Sequence, residues 1–147
     1  MPNSTEFQHY HYLIDWEGNI HEGKYKPEDN GNCTDGRYAA HTGGGNTGSI
    51  GVALCGMFGY TSPQDAGAYP LTSKQVEAGF KLCATLIKKY NLQLSNVITH
   101  YEFGKLHPES TSAGKIDITY LPSYPEIEKD KIGDFIRAKV RYYLERI

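Results

Sequence analysis

Six histidines, His9, His11, His21, His41, His100 and His107, are the residues of this chain with the widest chemical reach, because a neutral imidazole binds divalent metals and titrates near physiological pH. A histidine taken singly is more often structural than catalytic. His100 is distinguished by context. It follows Val97-Ile98-Thr99, an apolar run that predicts a short strand whose end presents side chains to a cleft. Downstream, Gly114-Lys115-Ile116-Asp117-Ile118 sets a cation and a carboxylate two residues apart, on one side of an extended segment. A histidine, a carboxylate and a lysine meeting at one cleft would supply two zinc ligands and one stabiliser of an oxyanion. Lys115 and Asp117 equally fit a solvated ion pair of little worth.

The string Gly43-Gly44-Gly45-Asn46-Thr47-Gly48 matches G-x-G-x-x-G. A dinucleotide fingerprint follows a strand and opens a helix, whereas this string precedes a strand, and no Gly-Lys-Ser/Thr follows it. It reads as a tight backbone turn that lets a loop pass close to a site. Cys33, Cys55 and Cys83 form no CxxC pair and are expected to be free thiols. Cys55 and Cys83 fall in apolar patterns and are expected in the core. Cys33 is expected to be exposed in a loop.

The elements that must position these groups follow from periodicity. Tyr10 to Asp15 and Asn19 to Gly23 are β-rich runs around Trp16-Glu17-Gly18, which predicts a hairpin. Lys24 to Ala40 is a surface loop by its Pro, Gly and Asx content. Ser49 to Gly56 is nearly all apolar between glycines, the pattern of a strand buried on both faces in the middle of a sheet. Thr61 to Tyr69 reads as another loop. Thr72-Ser73-Lys74-Gln75 fits a capping box, and Val76, Phe80, Cys83, Ile87 and Tyr90 continue it as one helical stripe, with Asn91 as the stop. Tyr101 to Thr119 is a long excursion, of which Tyr101 to Ser112 is a candidate mobile lid. Ile132, Phe135, Ile136, Val140, Tyr143, Leu144 and Ile147 form a closing amphipathic helix. The order predicts an α/β fold, a central mixed β-sheet flanked by α-helices, in a single domain spanning residues 1–147.

Composition narrows the function classes. With 15 Lys plus Arg against 17 Asp plus Glu, the net charge of −2 gives none of the positive field that nucleic-acid binding needs. No apolar run approaches the roughly 18 residues of a membrane span, and Met1 to Asp15 lacks the basic-then-apolar order of a signal peptide. The expectation is a chain of cytoplasmic synthesis with neither nucleic acid nor membrane as partner. The 12 tyrosines suit sugar or peptide surfaces, and suit half-buried strands at least as well.

Taken together, Tyr10-His11-Tyr12-Leu13-Ile14-Asp15 with Gly18-Asn19-Ile20, Ala40-His41-Thr42 with Asn46 and Ser49-Ile50-Gly51-Val52, Thr99-His100-Tyr101-Glu102, and Gly114-Lys115-Ile116-Asp117-Ile118 resemble the zinc-dependent N-acetylmuramoyl-L-alanine amidases. That family includes phage endolysins and peptidoglycan recognition proteins. The motifs stand in the family's order and cover Tyr10 to about Pro122. The resemblance implies a peptidoglycan hydrolase that cleaves the amide between N-acetylmuramic acid and L-alanine by zinc-activated water, acting on the cell wall if the protein is a phage endolysin. Residue by residue it implies His100 and Asp117 as zinc ligands, Lys115 and Tyr10 as catalytic residues, and His41 and Asn46 as lining for the muropeptide. The glutamate base of some relatives falls at Ala53, which implies the Tyr/Lys subtype.

The family's first zinc ligand, a histidine on a strand before the Tyr-His-Tyr strand, has no counterpart in the nine residues that precede Tyr10. His11 already matches the family's own strand histidine. Three expectations follow: an N-terminally truncated form of a longer amidase, a non-catalytic peptidoglycan-binding module, or substitution of the missing ligand by His9 or His41. Loss of a strand would also expose a sheet edge, open to a dimer through strand exchange.

Overall fold

The computed structural model describes residues 6–57, 62, 64 and 67–147. Its sheet is organised by strand β1 (Tyr12–Ile14), whose Leu13 and Ile14 have no solvent exposure. Residues covered on both faces belong to a central strand, and β1 is central: β2 (Ile20–Glu22) pairs with it antiparallel and β3 (Val52–Leu54) pairs with it parallel. This is the predicted hairpin within a mixed sheet. Asp15 closes the turn, its Oδ1 accepting the Glu17 and Asn19 amides at 3.0 and 2.9 Å and its Oδ2 meeting His21 Nε2 at 2.8 Å. The run from Ser49 to Gly56 does contain a strand, but β3 is an edge of the three-stranded sheet and is half-buried throughout. Its apolar residues are explained by helix α2 (Ser73–Tyr90) packing over it.

Helix α2 begins where its capping box predicts, with Thr72 Oγ1 accepting the Gln75 amide and Gln75 Oε1 accepting the Thr72 amide. Gln75 is fully buried and does more than cap. Its Nε2 donates to the carbonyls of Ile14 and Cys55 at 2.9 and 2.8 Å, tying the helix start to the ends of β1 and β3. Asn91 stops the helix in the left-handed conformation, φ 52°, a geometry that Asn tolerates. Val76, Phe80, Ala84 and Ile87 form the core with Leu71, Leu121, Ile132 and Val140, and Cys83, Phe135 and Ile136 pack against it. The last four of these apolar positions in the chain come from helix α4 (Ile132–Leu144), which ends before the exposed Ile147.

Two expectations are corrected between these helices. Val97 to Thr99 is not a strand; it follows a 3-10 turn over Leu94–Asn96, and Thr99 is the N-cap of helix α3 (His100–Leu106). Thr99 and Glu102 form a second capping box, a Ser/Thr-x-x-Glu signal that outweighs two β-branched residues. The first part of the predicted lid is therefore helix, and its far end is packed, with Ser112 fully buried. Within the Thr61 to Tyr69 loop, residues 61, 63, 65 and 66 lie outside the described residues. All three cysteines are free, and Cys33 is half-buried rather than exposed, its thiol 3.6 Å from the Asn30 carbonyl. A short helix α1 (Glu6–His9) precedes the sheet; the sequence analysis did not anticipate it. No helix among the described residues is long and apolar enough to cross a membrane.

Candidate active site

The Glu102 carboxylate that caps α3 also fixes the helix in space. Arg137 grips it bidentately, Nη1 to Oε1 at 2.9 Å and Nη2 to Oε2 at 2.7 Å, while Nη1 also donates to the Val97 carbonyl. That fork holds the Glu102 carboxyl below its ordinary pKa. Gly133 allows the contact, since a Cβ there would fall 2.1 Å from Glu102 Oε2. His100, the first residue of α3, is thereby anchored to α4.

His100 then faces Asp117. Its Nδ1 lies 3.3 Å from Asp117 Oδ2, while the other ring nitrogen, Nε2, lies 2.9 Å from Ser112 Oγ. The histidine side chain is 18% exposed and the aspartate 61% exposed, so the pair opens to solvent on the carboxylate side. Tyr10 belongs to the same neighbourhood: burial raises its pKa, and the negative charge of Asp117 adds to the effect. Its hydroxyl is therefore protonated at neutral pH. Lys115 is exposed; its backbone amide donates to the Ser112 carbonyl at 3.2 Å, while its side chain has no hydrogen bond or ion pair among the described residues and does not pair with Asp117.

The glycine string supplies the opposite wall. Gly43 and Gly45 pass so close to the 103–112 segment that Cβ atoms there would sit 1.7 Å from Thr111 Oγ1 and 2.5 Å from the Phe103 ring. This is the close-passing loop that the string predicts. Asn46 acts within it, its Oδ1 accepting the amides of His41 and Thr42 at 3.0 and 2.9 Å. The side-chain carbonyl assigned to substrate is thus engaged in holding His41. The His41 ring packs on Gly51, where a Cβ would fall 2.4 Å away, and its Nε2 lies 2.8 Å from Ser49 Oγ. Ser49 gives its only proton to the Asn46 carbonyl, so His41 Nε2 is the donor in that pair. Burial, with His11 and His100 nearby, lowers the His41 pKa to about 4.

His11 is structural. Its Nε2 meets Asn30 Oδ1 and its Nδ1 accepts the Gly51 amide, both at 2.9 Å, and burial lowers its pKa. Asn30, also fully buried, adds three bonds to Ala39 and Asn46. Asn30 and Ser112 belong to none of the motifs read from the sequence, and Ser49 stands in one without an assigned role. A buried Asn or Ser in a loop has no periodicity to betray it; the one available signal was the polar density of the segments in which these three lie.

His100 and Asp117 are residue types that ligate zinc, and the fold brings them into contact. Their separation of 3.3 Å is that of a long hydrogen-bonded pair, the same as between His107 and Glu109; what suits zinc is the chemistry of an imidazole beside a carboxylate. These two residues fit zinc as two of its ligands. Among the described residues no group of three His, Cys, Asp or Glu side chains converges. His9 is exposed with Nδ1 3.1 Å from the Ala40 carbonyl, and His41 is held by Ser49, so neither completes the set.

The fold thus gathers Tyr10, His100 and Asp117 beside a glycine-lined segment on a mixed α/β sheet. The family model for N-acetylmuramoyl-L-alanine amidase matches residues 2–116, and the chain belongs to that family. Membership implies amidase activity on peptidoglycan. The match ends one residue before Asp117, which reaches the site by its contact with His100. No curated protein and no solved structure matches the chain at comparable stringency.

Proposed function

We propose that this protein hydrolyses the amide between the lactyl group of N-acetylmuramic acid and L-alanine, with zinc held by His100, Asp117 and a further ligand. The observation that carries this reading is the contact between His100 and Asp117 in a chain of the amidase family. Bound zinc supplies a Lewis acid that lowers the pKa of a water molecule toward neutrality. The chain's own residues do the rest. Lys115, whose side chain has no ion pair among the described residues, stabilises the oxyanion formed at the scissile carbonyl. Tyr10, protonated at neutral pH, donates a hydrogen bond that orients the attacking water, and the neutral His41 lines the wall facing the muropeptide.

A second reading is favoured by the two-donor set among the described residues: a module that binds muropeptide without cutting it. Zinc content after dialysis into metal-free buffer separates the two. About one zinc per chain supports the hydrolase, and none supports the binding module. β3 is the outer strand of the sheet among the described residues, the place where a second copy would add a strand; a purely monomeric size in solution rejects such a dimer.

A further inference from the structure

Ser112 lies at the centre of the candidate site without belonging to any motif. It is fully buried, and its Oγ has three partners: the Gly43 carbonyl at 2.8 Å, His100 Nε2 at 2.9 Å and Thr42 Oγ1 at 3.1 Å. A hydroxyl has one proton and two lone pairs. The Gly43 carbonyl can only accept, so the proton goes there. Both remaining partners must then donate, and His100 carries its proton on Nε2. In the neutral imidazole its Nδ1, toward Asp117, then keeps its lone pair.

Asp117 pulls the other way. A carboxylate oxygen 3.3 Å from Nδ1 favours a proton on that nitrogen, which would block it as a ligand. We propose that Ser112 is a positioning residue: by accepting from Nε2–H and spending its own proton on Gly43, it holds His100 in the tautomer that offers Nδ1 beside the Asp117 carboxylate. Partners of this kind on the far nitrogen of a ligating histidine fix its ring and tautomer. The inference rests on the reading of His100 as a metal ligand, and it makes the Gly43 carbonyl part of the same device. Close approach of Gly43 to Thr111, and of Gly104 to the Ser112 carbonyl, 2.3 Å from a built Cβ, is what brings that carbonyl within reach.

The test is nitrogen NMR of histidine-labelled, metal-free protein above the titration range of imidazole. In the wild type His100 is expected as Nε2–H. In Ser112→Ala the proton moves to Nδ1, facing Asp117, with the tautomer ratio changing by about twofold to tenfold, the equilibrium worth of one hydrogen bond. Affinity for zinc, read by chelator competition, falls by about tenfold to a hundredfold. Thr42→Val removes the other donor to Ser112 and is expected to leave the His100 tautomer unchanged, which a general loosening of the loop would not do. An Nδ1–H wild type overturns the proposal even if Ser112→Ala fails to fold. So does a folded Ser112→Ala protein with wild-type His100 resonances. An Nε2–H wild type that shifts in Ser112→Ala yet binds no zinc upholds the role of Ser112 and defeats the zinc reading instead.

Discussion

His100 Nδ1 and Asp117 Oδ2, 17 residues apart in the chain, stand 3.3 Å apart in the fold. That contact joins the first residue of α3 to the segment beyond the packed Ser112 and sets an imidazole beside a carboxylate, two groups that bind zinc. His100→Ala and Asp117→Ala are each expected to lower zinc affinity more than about a hundredfold. Because the Asp117 side chain is 61% exposed, Asp117→Ala should leave the melting temperature of the metal-free protein within a degree or so of wild type. Chelator competition and thermal melts on the same samples check both statements.

Lys115 is exposed and its side chain has no ion pair among the described residues, which suits a group whose charge is to meet an oxyanion. Lys115→Ala is expected to reduce amidase turnover by about a hundredfold or more while zinc content and stability stay at wild-type values. Retained turnover in that variant removes Lys115 from the mechanism.

Much of this site can be read in the sequence, and the limits have physical causes. The hairpin, both long helices and the Thr72–Gln75 capping box follow from periodicity and local hydrogen-bond chemistry, which the chain carries within a few residues. The strand predicted at Val97–Thr99 fails because the Thr99–Glu102 capping box, reinforced by Arg137 from a helix far along the chain, commits that segment to a helix start. The edge position of β3 is likewise a tertiary fact, since its apolar run would look the same in the middle of a sheet. His100, Asp117 and Lys115 were legible as motif residues. Ser112, Ser49 and Asn30 were not, because what defines them is the set of backbone carbonyls and imidazoles that the fold brings to them.

Arg137 links this reasoning to stability. Its side chain is 19% exposed and that of Glu102 26% exposed, so removal of the fork leaves a half-buried carboxylate unpaired. Arg137→Ala is expected to cost about 2–4 kcal/mol, measured by urea denaturation, and to displace the start of α3. Arg137→Lys should recover less than half of that loss, because an ammonium cannot make the two parallel bonds.

Asp15 gives the pH dependence. The hydrogen bond from His21, together with those from the Asn19 and Glu17 amides, holds its carboxyl at about 2, against 3.8 for the free group. A depressed carboxyl stabilises the fold fully above the unfolded value and loses that contribution as pH falls through the folded one. Asp15→Asn should therefore cost about 1–2 kcal/mol at pH 7, with the difference from wild type shrinking below pH 4 and vanishing only below about pH 2. Urea midpoints across that range check the sign. A constant difference would mean that the hairpin turn does not depend on the charge.

The most direct test of the central claim is product analysis after incubation of the protein and zinc with purified peptidoglycan. The account predicts stem peptides released with a free L-alanine amino terminus and glycan strands left with intact lactyl groups, and no release by Asp117→Ala. Peptidoglycan that is bound and sedimented with the protein, yet yields no new amino termini at any zinc concentration, would contradict it and leave a binding module in its place.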